Sequence, residues 1–391
     1  MAKHSKDNPM LFVTGATAIG GAEIDLLHLV RYLKEHEVAF ILACPDHGPF
    51  YDRVKGEGLQ TIPIKLGASF GRWRGLNIFS PTTYVQLYRF YKVVKPIVRK
   101  HDIKLIFAQQ ELKEKLFAAF VGQMLGLRVA WAEHGMFHPW VKSTPVRFLY
   151  SLVAKRFVSV IICPAQAVRT QLSGFGISGD KIAVIHNGVP QVEATSSSSS
   201  IRNEFGLTDE QIVVTTVTRL FYRKGVQDLV RAVAKIKQQL PNLRLLIVGD
   251  GRYRPDLEKL ASELSVTDSI VFAGFRAEPA SLVMASDIFI NPSFDSEGMP
   301  LAILEAMSAQ KPVVAASVGG VAECVTDDVT GLLVPPRDVD AMADAIKALV
   351  LDRDLRERLG SAGYESFLEN FQVDHMCERT MRLLAELSGS S

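Results

Sequence analysis

The 391-residue chain is poor in cysteine, with only Cys44, Cys163, Cys324 and Cys377, far apart and without a CxxC pair. A disulfide framework and a zinc site are therefore disfavoured, and a reducing cytosol fits better. Three of the four stand in apolar runs and read as core. No apolar run approaches the roughly 18 residues that a membrane span needs, and MAKHSKDNP ahead of MLFVTG is too short for a signal-peptide core. A soluble, unsecreted, cytoplasmic protein is expected. The turn TGATAIGGAE after the first apolar run is neither GxGxxG nor a P-loop ending in Gly-Lys-Ser/Thr, which disfavours NAD and a Walker-type ATP site.

Acids are missing between Glu57 and Asp102, where eight basic residues from Lys65 to Lys100 stand among Trp73, Phe79, Tyr84, Tyr88, Phe90 and Tyr91. A second acid-free stretch, HGMFHPWVKSTPVRFLYSLVAKRF, follows Glu133. The net charge of +2 thus hides an asymmetry. Residues 1–188 carry 24 Lys and Arg against 13 Asp and Glu, whereas residues 189–391 carry 20 against 29. No nucleic-acid motif accompanies the basic half, and the acidic half would repel a long polyanion, so nucleic acid is not expected as a partner.

A hydrophobic content of 48% over this length supports two cores of about 150 to 200 residues each. Six short apolar runs precede position 190, from MLFVTG to IAVIHNGV, and six follow it, from IVVTTVTRL to GLLVPP. Most lead into a turn or an amphipathic stretch such as GVQDLVRAVAKIKQQL, so strands alternate with helices. Continuous apolar strands between helices mean parallel sheets covered on both faces. The Ser-rich PQVEATSSSSS, residues 190–200, reads as a flexible connector. The expected organisation is a Rossmann-like domain over 1–189, the connector 190–200, a second Rossmann-like domain over 201–370 and a C-terminal helix over 371–391 packing back on the first. Ligands belong at the carboxyl ends of the strands.

Unusual residues cluster at those ends. Gly20 and Gly21, just ahead of a helix, allow backbone amides to approach a phosphate, though a tight turn explains them equally well. RLFYRKG puts Arg219 and Lys224 in one loop, a fork and a point charge suited to a diphosphate, with a solvated charged loop as the alternative. In SFDSEGMPLAILEAM, Pro300 suits the first helical position, so the first-turn amides of that helix face any ligand. Glu305 on its second turn can accept two hydrogen bonds from a ribose diol, and Glu297 precedes Gly298, where the backbone can turn beside a polar ligand. Helix-dipole pairing accounts for either acid alone, but not for the company they keep.

The stretch SEGMPLAILEAMSAQKPVVAASVGGVAECV, followed by GLLVPP, resembles the signature of the retaining family 4 glycosyltransferases of GT-B fold. Two Glu separated by seven residues stand here as Glu297 and Glu305, and GGAE, EHG, HNGV, RLFYRKG and VGDG fall in the family's order. The resemblance implies an α/β fold of two Rossmann-like domains facing a cleft and transfer of a sugar from a nucleotide-sugar, most commonly a UDP-sugar. It implies no cofactor and no metal, the nucleotide-sugar being a substrate. By the same resemblance Arg219 and Lys224 meet the diphosphate and Glu305 the ribose. Glu297 with the amides of Gly298, Met299, Pro300 and Leu301 holds the sugar and phosphates, Pro300 having no N–H of its own to give. The turn with Phe275 and Arg276 receives the base. His134 lies near the transferred sugar, and Gly20 and Gly21 lie near the distal phosphate and acceptor.

Other readings are a nucleotide-sugar epimerase of the same build, which needs no acceptor, and a silent sugar-nucleotide-binding protein, which would be expected to lack some of His134, Arg219, Lys224 and Glu297. The basic, aromatic first half suits an anionic membrane surface and a lipid-linked acceptor. Solvated helix faces and a soluble small-molecule acceptor are the plainer alternative.

Overall fold

The structure is a computed structural model; it describes residues 9–65, 81–109, 112–137, 145–192, 198–276, 279–295 and 297–389. The chain divides into two compact units, Met1–His186 with Asp374–Ser391, and Asn187–Val373.

The first unit is built on seven parallel strands, β1 (Met10–Val13), β2 (Phe40–Cys44), β3 (Thr61–Pro63), β4 (Leu105–Gln109), β5 (Arg128–Ala132), β6 (Val160–Cys163) and β7 (Ile182–Val184). Their order is β3-β2-β1-β4-β5-β6-β7. Leu11 pairs with Ile41 on one side and Ile106 on the other, so the direction of winding reverses at β1. All four β1 residues are buried, as a strand covered on both faces requires. The helices are α1 (Gly21–Glu35), α2 (Pro49–Gly56), α3 (Pro81–His101), α4 (Leu112–Leu125), α5 (Pro145–Phe157) and α6 (Gln166–Gly174). Val13, Ile41, Ile106, Phe117, Trp131, Tyr150 and Ile161 belong to one continuous core.

The second unit begins with α7 (Ser198–Glu204) and holds six parallel strands, β8 (Ile212–Val217), β9 (Leu243–Val248), β10 (Ile270–Gly274), β11 (Ile288–Asn291), β12 (Val313–Ala316) and β13 (Leu332–Val334). Their order is β10-β9-β8-β11-β12-β13, with the winding reversing between β8 and β11. Between them run α8 (Val226–Ile236), α9 (Arg254–Glu263), α10 (Ala280–Met284), α11 (Leu301–Ser308) and α12 (Val321–Cys324), followed by α13 (Val339–Leu351) and α14 (Arg353–Asn370). Strand alternation feeds two faces: Ile288 and Ile290 enter one cluster with Leu245 and Ile247, while Phe289 packs with Val313 and Ile303 in another. The last helix, α15 (Val373–Ser388), falls almost wholly within the first unit.

Four details differ from the sequence reading. β3 is a three-residue edge strand, too short to show as an apolar run. Ser198–Ser200, read as connector, open α7; residues 193–197 lie outside the described residues. Pro300, expected at the first helical position, is instead the N-cap of α11, with an extended ψ of 118°. All four cysteines are buried, Cys377 included, because it lies on the covered face of α15. Among the described residues no helix is long and apolar enough to cross a membrane.

Candidate active site

In the second unit the expected donor residues follow three strands: Arg219 and Lys224 come after β8, Phe275 and Arg276 after β10, and Glu297, Gly298 to Leu301 and Glu305 after β11, and of these Lys224 and Glu297 meet. Lys224 Nζ lies 2.5 Å from Glu297 Oε1, with side chains 19% and 10% exposed, so the two form a largely buried ion pair across the β8–β11 switch point. That is where open α/β sheets bind ligands. The loop carrying Lys224 is pinned to the β11 loop: Phe294 N–H donates to the Arg223 carbonyl at 3.2 Å. Gly225, which caps α8, sits at φ 72°, and a Cβ there would come within 1.8 Å of the Pro292 carbonyl oxygen. Only glycine combines that backbone with so close an approach.

Arg219 is exposed, its guanidinium 5.5 Å from the centre of the Phe221 ring. Its loop is held by the VGDG turn, since Thr218 N–H bonds to Val248 O at 3.0 Å and Leu220 N–H to Asp250 O at 2.9 Å. Arg252 from the same turn also lies over Phe221, at 5.4 Å. Nothing local in the sequence marks this third cation, because only the fold brings the end of β9 to the Phe221 ring of the β8 loop.

Met299 is buried and its carbonyl accepts a 3.0 Å bond from Asn187 Nδ2, fixing the Gly298–Pro300 turn that leads into α11. Glu305 on α11 is partly buried, and desolvation pushes its carboxyl up from 4.5 to about 7. Phe275 is 72% exposed beside Gly274, whose φ is 70°. Arg276 turns away from it, donating to Glu204 at 2.6 Å and lying 5.2 Å from the Phe205 ring. This leaves Phe275 and the turn backbone as the open part of that segment.

In the first unit His134 follows β5. Its Nδ1 lies 3.3 Å from Asp25 Oδ2 on α1, and both Asp25 Oδ1 and His134 Nε2 are buried without a hydrogen-bond partner. The preceding residue is anchored, since Glu133 Oε1 accepts from Tyr150 OH at 2.8 Å and lies 2.6 Å from Lys115 Nζ. Burial, then the Glu133 charge, holds the Tyr150 hydroxyl well above its ordinary range. Gly20 and Gly21 stand at the start of α1, where the Gly20 N–H donates to Glu23 Oε2 at 2.8 Å. An anion seated on that amide must displace Glu23. The sequence did contain a signal for Asp25: an acid on the apolar stripe of α1, in step with buried Leu29 and Leu33. Trp73, Phe79 and Trp140 lie outside the described residues.

Two family profiles match the chain, "Glycosyltransferase Family 4" over residues 19–191 and "Glycosyl transferases group 1" over 197–366. The chain is 30% identical over 308 residues to the GDP-mannose-dependent alpha-(1-6)-phosphatidylinositol monomannoside mannosyltransferase of Mycolicibacterium smegmatis, covering 75% of this chain and 79% of that protein. It is 34% identical over 327 residues to the GDP-mannose-dependent monoacylated alpha-(1-6)-phosphatidylinositol monomannoside mannosyltransferase of Corynebacterium glutamicum, covering 80% and 83%. The crystal structure of Anabaena HepE in complex with UDP superposes with a TM-score of 0.83 at 23% identity, covering 97% of this chain and 100% of that one, and so shares the fold. Two parallel-sheet units, the paired glutamates and these likenesses converge on one assignment: the chain belongs to glycosyltransferase family 4 and is a glycosyltransferase of GT-B fold.

Proposed function

We propose that this glycosyltransferase moves a hexose, with retention of anomeric configuration, from a nucleoside diphosphate sugar to a lipid-linked or glycoconjugate acceptor at an anionic membrane surface. The observation that carries the donor reading is the Lys224–Glu297 pair with Arg219 nearby in chain and loop, at the switch point of the second sheet. Sugar transfer builds negative charge on the departing diphosphate while the sugar passes through an oxocarbenium-like state. Cations and helix amides already aimed at that charge lower the barrier without further reorganisation. Glu305 accepts the ribose hydroxyls, and the exposed Phe275 turn receives the base.

Retention follows from attack on the face that the leaving group departs. The bond from the anomeric carbon to the phosphate oxygen breaks as the bond to the acceptor oxygen forms, and the departing phosphate takes the acceptor proton. Glu297 does not act as the nucleophile in this scheme, since one of its oxygens is already held by Lys224 and the other remains for sugar hydroxyls. Neutralisation is assigned to Arg219, Lys224 and the α11 amides, with no metal required. Two relatives named for GDP-mannose favour a guanosine diphosphate sugar over the UDP-sugar that frequency alone suggests.

The names of the same relatives include phosphatidylinositol, a lipid, which supports a lipid acceptor. So do the exposed Tyr84 and Tyr88 on α3 and Phe148 and Leu152 on α5, helices that carry Arg89, Lys92, Lys95, Arg147 and Lys155 and no acid. Aromatic and basic side chains on two acid-free helices suit a lipid headgroup layer. The test is incubation with GDP-mannose, UDP-glucose and UDP-N-acetylglucosamine, each with phosphatidylinositol vesicles, followed by proton NMR of the product anomer. An α-linked lipid product from an α-donor supports the proposal. An inverted product, or an isomerised nucleotide-sugar formed without acceptor, overturns it.

A further inference from the structure

Asp25 has no part in the activity described so far. It is 7% exposed on α1, and its Oδ1 is buried without a hydrogen-bond partner. Its Oδ2 lies 3.3 Å from Nδ1 of His134, whose Nε2 is likewise buried and unpartnered. A buried carboxylate with an open oxygen carries a desolvation cost that a stable core has no reason to keep. Two such atoms on contacting side chains at the carboxyl edge of one sheet point to a ligand that completes them.

We propose that Asp25 is a positioning residue: it fixes the imidazole of His134 in the Nδ1–H tautomer, so that Nε2 presents a lone pair to a substrate hydroxyl. This rests on the reading that His134 meets the substrate. The chemistry leaves one arrangement for the neutral ring. An ionised carboxylate only accepts hydrogen bonds, so the ring nitrogen facing it carries the proton and the other nitrogen is bare. A bare Nε2 takes a hydroxyl hydrogen and cannot donate to a carbonyl or phosphate. The unpartnered Oδ1 of Asp25 is a second acceptor, so the pair suits a polyol and disfavours an anion.

The His134 segment is rigid enough to make the tautomer matter. Glu133 is tied to Lys115 and Tyr150, its N–H donates to Ile162 O at 2.8 Å, and Gln171 brackets Phe137 through bonds of 2.6 and 3.1 Å to its N–H and carbonyl. The ring therefore cannot trade one nitrogen for the other by a loop shift.

The test reads the tautomer directly. In full-length protein with nitrogen-15 histidine, long-range proton–nitrogen NMR at about pH 8.5, some two units above the ordinary histidine value, identifies which ring nitrogen of His134 is protonated. Assignment comes from the His134→Gln spectrum. The expected result is Nδ1–H in the native chain and a shift towards Nε2–H in Asp25→Ala, with Asp25→Asn as the milder, isosteric change. In parallel, kcat with GDP-mannose or UDP-glucose should fall about 10- to 100-fold in Asp25→Ala, the loss of the charged partner that orients the ring, while affinity for free GDP or UDP changes less than about threefold. Nε2–H in the native chain, an unchanged tautomer in Asp25→Ala, or equal loss of turnover and nucleotide affinity would overturn the proposal. Absence of transfer with every donor would sink the proposed function instead, and the NMR result would still decide the role of Asp25.

Discussion

Lys224 Nζ and Glu297 Oε1 stand 2.5 Å apart, 73 residues apart in the chain and largely shut from water. A diphosphate arriving at Lys224, as proposed, would meet a cation that already has an anionic partner, so the pair would have to loosen or share. Removing one member leaves the other charge buried and uncompensated, which costs about 3 to 5 kcal/mol in comparable pairs. Lys224→Met should therefore lose stability as well as turnover, by two or more orders of magnitude in kcat. Glu297→Gln should keep or tighten affinity for free nucleotide while slowing transfer. Denaturant melts of both single variants and the double variant check this, the double losing less than the sum of the singles.

Glu305 makes stability and binding depend on pH. Its carboxyl titrates near 7 in the folded chain against 4.5 ordinarily, so the folded state holds the extra proton between those values. Stability then falls as pH rises through that window, by at most about 3 kcal/mol, and the penalty is fully present above about 7. Glu305→Gln should be more stable than the native chain at pH 8 and equal to it below about pH 4.5. Nucleotide affinity should move the other way, weakening in the native chain below about pH 7 because ribose hydroxyls need an ionised acceptor. Calorimetric titrations across pH with GDP and UDP test both signs.

Gly225 should not tolerate a side chain. In Gly225→Ala the left-handed backbone and the 1.8 Å approach to Pro292 O act together. Gly206→Ala is the control, because φ is 65° there but no atom lies within 4 Å of the added Cβ. The control should lose about 1 kcal/mol from backbone strain alone. Gly225→Ala should lose several times that and also bind nucleotide more weakly, since the Lys224 loop must shift. Equal losses in the two variants would detach the loop from the site.

Membrane attachment should be reversible and salt-sensitive. Each basic side chain near an anionic surface contributes about 1 kcal/mol at best, and the contribution is screened within a Debye length. Cosedimentation with phosphatidylglycerol-containing vesicles should be strong at low salt, fall as salt is raised and be absent with neutral vesicles. Tyr88→Ser combined with Phe148→Ser should weaken it with no change in the melting curve, both residues being exposed. No binding to anionic vesicles at low salt would favour a soluble acceptor.

Much of the local structure of the candidate site was legible in the sequence because its parts are close in the chain. The strand of VVTTV ends at Val217, with only Thr218 before Arg219, and Gly225 closes the same loop, so short-range order places Lys224. The helix at PLAILEAM was visible from its proline, although Pro300 caps it from outside. The edge strand β3 was not visible, because three residues cannot show an alternation. Cys377 also escaped notice, since its burial comes from where α15 packs and, apart from Met376, the residues around it in sequence are polar.

The sequence by itself determined the alternation of strands and helices, the division into two parallel-sheet units and the family's set of chemical groups. Those follow from hydrophobic period and local turn chemistry, which act over a few residues. Tertiary structure alone decided which groups meet. It paired Lys224 with Glu297, brought Arg252 to the Phe221 ring and set Asp25 against His134. It also raised the Glu305 carboxyl, because desolvation depends on how α11 packs, and α14 lies against that helix from far along the chain.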